Sequence, residues 1–132
     1  YTIYDELHCL DLRKTPLPFK DQEFCVATCI ETIEHLPKKQ GEQLLEELQR
    51  IADTVIVSTP SSFFKQPKSH TEHNPHQEHV SKWTVEDFKE KGYEVKGVGE
   101  LAANKLVIPT RLLTSRFPQL HQFLLAKTTR CT

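Results

Sequence analysis

The sequence predicts an α/β protein with a strand-helix-strand unit at its centre, and three stretches carry that prediction. Phe24 to Ile30 (FCVATCI) is a nearly continuous run of apolar or small residues, the pattern of a strand covered on both faces. Gly41 to Ala52 sets Leu44, Leu45, Leu48, Ile51 and Ala52 at helical spacing, with Glu42, Glu46, Glu47, Gln49 and Arg50 on the solvated face. Thr54 to Thr59 (TVIVST) is a second, β-branched run, and Pro60 stops it. A parallel pair joined by one helix has a right-handed crossover.

The flanking elements follow from local signals. Glu6 to Leu12 leans apolar and reads as a strand near Asp11, after which Pro16, Pro18 and the polar cluster Lys20 to Glu23 impose a loop. Ser61 to Lys82 is long, polar and rich in Pro and His. Loops of that length inside a domain are functional or disordered, and this one is expected over the sheet's carboxyl ends. Thr84 with Asp87 makes a capping-box-like start for a short helix, Val85 to Lys91, and Gly92 sits where a left-handed cap belongs. Tyr93 to Val98 alternates like a strand, and Phe123 to Lys127 (FLLAK) reads as the last one.

Composition bounds the function. At 132 residues, 37% hydrophobic and 27% charged, the chain suits one globular domain and is neither disordered nor collagen-like. A formal net charge of -1 provides no long-range field toward nucleic acid or anionic lipid. The longest apolar run falls far short of the roughly 20 residues of a membrane helix, so no membrane partner is expected. Cys9, Cys25, Cys29 and Cys131 lack the spacing of a disulfide framework, which fits a reducing, cytoplasmic setting. The chain has no methionine and opens on Tyr1 near the first expected strand, so it reads as part of a longer polypeptide.

The order of elements, with LDLRKTPLPFKDQEFCVATCIETIEHLPK and then TVIVSTP, resembles the class I S-adenosylmethionine-dependent methyltransferases. The likeness covers about residues 6 to 98. Asp11, Leu17 to Phe19, Asp21 to Phe24 and Ile33 to Leu36 match the family in order, and HVSKWTVEDFKEKGYEVKGVG resembles its later helix and strand. The resemblance implies a Rossmann-like sheet lacking its first two strands, and makes residues 1 to 132 the C-terminal part of a methyltransferase domain of the type 11 kind. It implies S-adenosylmethionine as cofactor, with Asp11, Leu12 and Cys29 among the residues that bind it. The family's glycine-rich turn and its ribose-binding acidic residue are not in the chain. Cys25 stands where Asp is usual, and Ile51 to Asp53 replace a common glycine pair. In the family's sheet the first strand lies beside the run Phe24 to Ile30, so that edge needs a cover, from a preceding segment or from a second copy in a homodimer.

Glu31, Glu34 and His35 follow the first buried strand, at the end where open α/β sheets bind ligands. If this segment is helical, the three share one face and can converge on a divalent ion, or they are simply a solvated first helical turn whose glutamates complement the helix dipole. The small-RNA 3′-terminal 2′-O-methyltransferases have a similar Glu-x-x-Glu-His set, joined by a His before a Trp-Thr pair, that holds a divalent ion against the terminal ribose hydroxyls. His79, ahead of Trp83 and Thr84, stands in the same relation. Some quinone-pathway O-methyltransferases resemble the Glu-Glu-His part as well. The implied metal ligands are therefore Glu31, Glu34, His35 and His79.

His70, His73, His76 and His79 recur every third residue, but Pro75 forbids a regular helix through them and no cysteine pair lies near, so either a mobile substrate loop or plain solvated polar residues are expected rather than a zinc site. Trp83 either packs a helix start against the sheet or stacks on substrate. Phe63 and Phe64 either touch substrate or pack a lid. No Ser-His-Asp, P-loop or Cys-His nucleophile pattern is present. The leading expectation is methyl transfer to an RNA or small-molecule acceptor, with metal assistance if the acceptor is a hydroxyl. The alternative is a non-catalytic interaction module that retains the methyltransferase fold.

Overall fold

The computed structural model describes residues 3–62, 75–101 and 121–129. Four strands among these residues form one mixed sheet. The first, β1 (Phe24–Ile30), runs parallel to β2 (Ala52–Pro60), with Cys29 opposite Val57 and Ile30 opposite Ser58. The helix α1 (Lys38–Ile51) joins them. Beyond β2 the chain forms the short helix α2 (Val85–Glu90), then β3 (Glu94–Leu101) and β4 (His121–Thr129). The strand order is β1-β2-β4-β3, with β4 antiparallel to both neighbours. The expected parallel pair is present and adjacent, and the last strand lies inside the sheet rather than at its edge.

The core forms where α1 and α2 cover one face. Leu44, Leu45, Leu48 and Ile51 of α1 pack with Val55, Val57, Leu124 and Ala126 of the sheet, and Phe88 of α2 joins Trp83 and Tyr93. The helix starts at Lys38, earlier than the spacing of its leucines suggests, because Pro37 opens it with φ -52. The capping box at Thr84 forms as expected. Thr84 Oγ1 accepts from the Asp87 amide at 3.2 Å, the Asp87 carboxylate accepts from the Thr84 amide at 2.7 Å, and Gly92 takes φ 81 beyond the helix.

Two expectations need correction. Residues 6–12 form no strand: Leu7 is 81% exposed, and these residues pair with no strand of the sheet. A strand needs a neighbour to satisfy its backbone groups, and the outer edge of β1 pairs with none among the described residues. Nor is β1 buried on both faces: within it Cys29 alone is buried, while Phe24, Val26 and Ile30 are exposed on the face that no helix among the described residues covers.

The loop ahead of β1 is clamped by residues that the helical pattern assigns to solvent. The Arg50 guanidinium donates to the carbonyls of Phe19 (2.8 Å) and Leu17 (3.0 Å), to Asp21 (2.8 Å) and to Glu47 (2.8 Å). Glu47 in turn accepts from the Leu17 amide at 2.8 Å. This fixes buried Leu17 against the core, and Phe19 packs edge-on against Phe24. Among the described residues, no helix is long and apolar enough to cross a membrane.

Candidate metal centre

The site begins where β1 ends. Glu31 takes φ 45, in the left-handed region, and turns the chain away from the strand. Its amide donates to the Ser58 carbonyl at 3.1 Å, and Ser58 Oγ donates to its carboxylate at 2.7 Å. Next comes a single 3-10 turn, Ile33–His35, pinned by Ile33 in the core. Pro37 limits it: the residue before a proline avoids helical ψ, and Leu36 sits at ψ 143. The helical face expected to carry Glu31 with Glu34 and His35 therefore does not exist. Glu31 precedes the turn and is bound to Ser58, whereas Glu34 and His35 lie on it.

A distant segment completes the arrangement. Residues 78–83 lie along the 3-10 turn and are fixed by hydrogen bonds to its main chain. The amides of Val80 and Ser81 both donate to the Glu34 carbonyl, at 2.9 and 3.1 Å. Ser81 Oγ and Trp83 Nε1 both donate to the Ile33 carbonyl at 3.3 Å. His35 Nδ1–H donates to the Glu78 carbonyl at 3.1 Å. A carbonyl only accepts, so Nδ1 carries a proton and Nε2 is the ring nitrogen that would face an ion.

These bonds bring His79 to Glu34 and His35. One ligand atom from each lies within 4.8 Å of the others, and the two imidazoles meet edge to face with centroids 4.9 Å apart. Glu34 and His79 are buried and His35 is half-buried. Glu34 Oε2 accepts from Thr59 Oγ1 at 3.1 Å. Glu34 Oε1 lies 4.0 Å from His35 Nε2 and is buried without a hydrogen-bond partner among the described residues. A small pocket, about the size of one water molecule, is lined by Glu34, Thr59, His79, Ser81 and Trp83.

The electrostatics match a site short of one cation. Burial pushes the Glu34 carboxyl above its ordinary value, and the nearby Glu31 charge adds to that shift. Burial pushes His79 down, with repulsion from His35 in the same direction and Glu31 opposing, so its ring stays neutral. Two imidazole nitrogens beside a carboxylate whose buried oxygen has no donor among the described residues are a donor set that suits a divalent ion. Ligand atoms on one ion at roughly 2.0–2.2 Å stand about 3 to 3.5 Å apart, so the three side chains, now within 4.8 Å of one another, need close by no more than about 2 Å.

The remaining expected residues fall elsewhere. Asp11 lies in a turn, its carboxylate gripped by the Arg13 guanidinium at 2.8 and 3.0 Å, which lowers its pKa to about 2. Leu12 is half-buried against the core. Cys29 is buried, and burial together with the Glu34 charge pushes its thiol up to about 12, which leaves it unreactive. Trp83 is 1% exposed and packs against Phe88, with Lys38 Nζ 3.7 Å from its ring centroid, so it offers substrate no stacking face. Phe63, Phe64, His70, His73 and Cys131 lie outside the described residues. His76, in the 3-10 turn Pro75–Gln77, does not belong to the ligand cluster. The motif reading did not single out Ser58 and Thr59. Their only signal was two hydroxyls at the carboxyl end of an otherwise apolar parallel strand.

No protein-family model matches the chain, and no curated protein matches it. Solved structures do. The crystal structure of the small RNA methyltransferase HEN1 superimposes with a TM-score of 0.52 at 20% identity, over 90% of this chain and 15% of that one. Crystal structures of the methyltransferase domain of bacterial CtHen1-C and CtHen1-CN are each 26% identical to it. They cover 93% and 91% of this chain and 60% and 58% of their own, with TM-scores of 0.48 and 0.46. The chain thus spans less than two thirds of the structures it matches. What the HEN1 superposition establishes is the fold: an α/β sheet of methyltransferase type.

Proposed function

We propose that the chain is the C-terminal part of an S-adenosylmethionine-dependent methyltransferase domain that methylates a hydroxyl, with the terminal ribose of a small RNA as the acceptor. The observation that carries this reading is the convergence of Glu34, His35 and His79 where the parallel strands end, with Glu34 Oε1 buried and undonated. The superposition on the small RNA methyltransferase HEN1 supports the same class.

Glu34, His35 and His79 are the residues that would hold the ion, with the Glu31 charge near enough to act on both Glu34 and His79. A divalent ion held there would supply Lewis-acid chemistry, lowering the pKa of a hydroxyl bound beside these residues. The chain's own part is positional. His35 is oriented so that it offers Nε2, burial keeps His79 neutral, and the 78–83 segment shields the ligands from bulk water.

Calorimetry on the full chain with S-adenosylhomocysteine and, separately, with manganese tests both halves of this reading. Binding of both supports it. Absence of S-adenosylhomocysteine binding overturns cofactor use by this chain and favours the interaction module. Absence of manganese binding overturns the metal centre alone.

A further inference from the structure

We propose that Thr59 determines the metal selectivity of this site: by holding one oxygen of Glu34 it leaves the other as a single-oxygen ligand, which favours small divalent ions over calcium. The proposal rests on the metal reading above and deepens it. Thr59 Oγ1 lies 3.1 Å from Glu34 Oε2, and both residues are at most 2% exposed. An ionised carboxylate oxygen only accepts, so the threonine hydroxyl is the donor. The other oxygen, Oε1, has no donor among the described residues and is the one that faces His35 Nε2.

Thr59 is well placed to hold that geometry. It lies on β2, between β1 and β4, with buried Leu124 as its partner on β4. A β-branched side chain so enclosed has little χ1 freedom, so the hydroxyl is fixed relative to the carboxylate. Manganese, magnesium and zinc bind at about 2.0–2.2 Å and accept one oxygen per carboxylate; calcium collects six to eight oxygens at roughly 2.3–2.6 Å and commonly takes both. With Oε2 already accepting from Thr59, two-oxygen coordination would place the ion and the hydroxyl on the same buried oxygen and weaken that hydrogen bond.

The test compares manganese and calcium affinities of the full chain by calorimetry, with manganese paramagnetic resonance as a second readout. The wild type is expected to prefer manganese. In Thr59→Val, which keeps the shape and removes the donor, manganese affinity is expected to fall about tenfold while calcium affinity holds or rises, within the range for lost outer-shell partners. Thr59→Ser is expected to keep the wild-type ratio. If Thr59→Val does not fold, Thr59→Ala against Thr59→Ser makes the same comparison, since both lose the methyl group and only serine retains the donor. An unchanged ratio in a folded donor-less variant, or a serine variant that behaves like it, overturns the proposal while the metal centre stands. A wild type that binds neither ion overturns the metal reading itself and this proposal with it.

Discussion

Gly41 lies on the inner face of α1, where its missing side chain leaves room for the ring of Trp83. A Cβ at this position would stand 2.5 Å from Trp83 Cζ2 and 3.1 Å from Ile33 Cγ1. Carbon atoms rest at about 3.5–4.0 Å, so the indole would have to retreat by about an ångström. It has little room to do so. Lys38 Nζ sits 3.7 Å from its centroid, the Phe88 ring 5.5 Å away, and Nε1 is tied to Ser81 Oγ at 2.9 Å as well as to the Ile33 carbonyl. Overpacking of this kind costs about 1–3 kcal/mol, and a stretched indole hydrogen bond adds about 1 kcal/mol. The better helix propensity of alanine offsets about 1 kcal/mol. Gly41→Ala is therefore expected to lower unfolding stability by about 2 kcal/mol in urea titration. Because the same segment carries His79, manganese affinity should fall with it. A variant as stable as wild type, or more stable, would refute the packing argument; lost stability with unchanged manganese affinity would refute the coupling between the Trp83 anchor and the site.

Three further outcomes are expected. Glu34→Gln should stabilise the metal-free protein at neutral pH: a raised carboxyl pKa means the folded state binds the extra proton, so wild-type stability declines as pH rises from about 4.5 through the raised value. Manganese should then raise the melting temperature of wild type but not of this variant, and thermal melts across pH 4 to 8 check both. Glu47, whose pKa the Arg50 hydrogen bond lowers, works in the opposite sense: Glu47→Gln should cost about 1–2 kcal/mol near pH 7, and the deficit should shrink as pH falls below 4.5 through the lowered value, as read by urea melts. Because Glu31 is held at φ 45, Glu31→Gly should be more stable than Glu31→Ala by about 1 kcal/mol, while both weaken manganese binding alike; equal stabilities would show that the backbone there is unstrained.

The contrast between what the sequence reveals and what it conceals follows from range. Apolar period and turn chemistry are local, so β1, β2, α1 and the capped helix α2 could be located from FCVATCI, TVIVST, the leucines after Pro37 and the pair Thr84 and Asp87. The insertion of β4 between β2 and β3 has no local signal, since register and order are decided by which faces meet. Glu47 and Arg50 illustrate the same limit. A helical wheel places them in solvent, and only the loop they clamp makes them structural. Glu31 failed differently: its spacing to Glu34 and His35 is helical, but Pro37, six residues later, shortens the segment to one 3-10 turn and leaves Glu31 outside it.

The anchors of the site also bear on which substitutions it tolerates. Main-chain groups help to hold His79 beside Glu34: two amides on the Glu34 carbonyl, and the Glu78 carbonyl under His35. The side chains of Glu78, Val80 and Lys82 take no part in these bonds, so their identity is free to vary without moving the ligands. Ser81 and Trp83 are the exceptions, because their side chains share the Ile33 carbonyl and close the segment onto the core. A centre built this way demands few side chains from the histidine-rich stretch. It demands instead that the backbone of residues 78–83 remain docked on the 3-10 turn, and the glycine at position 41 is what gives Trp83 the space to dock it.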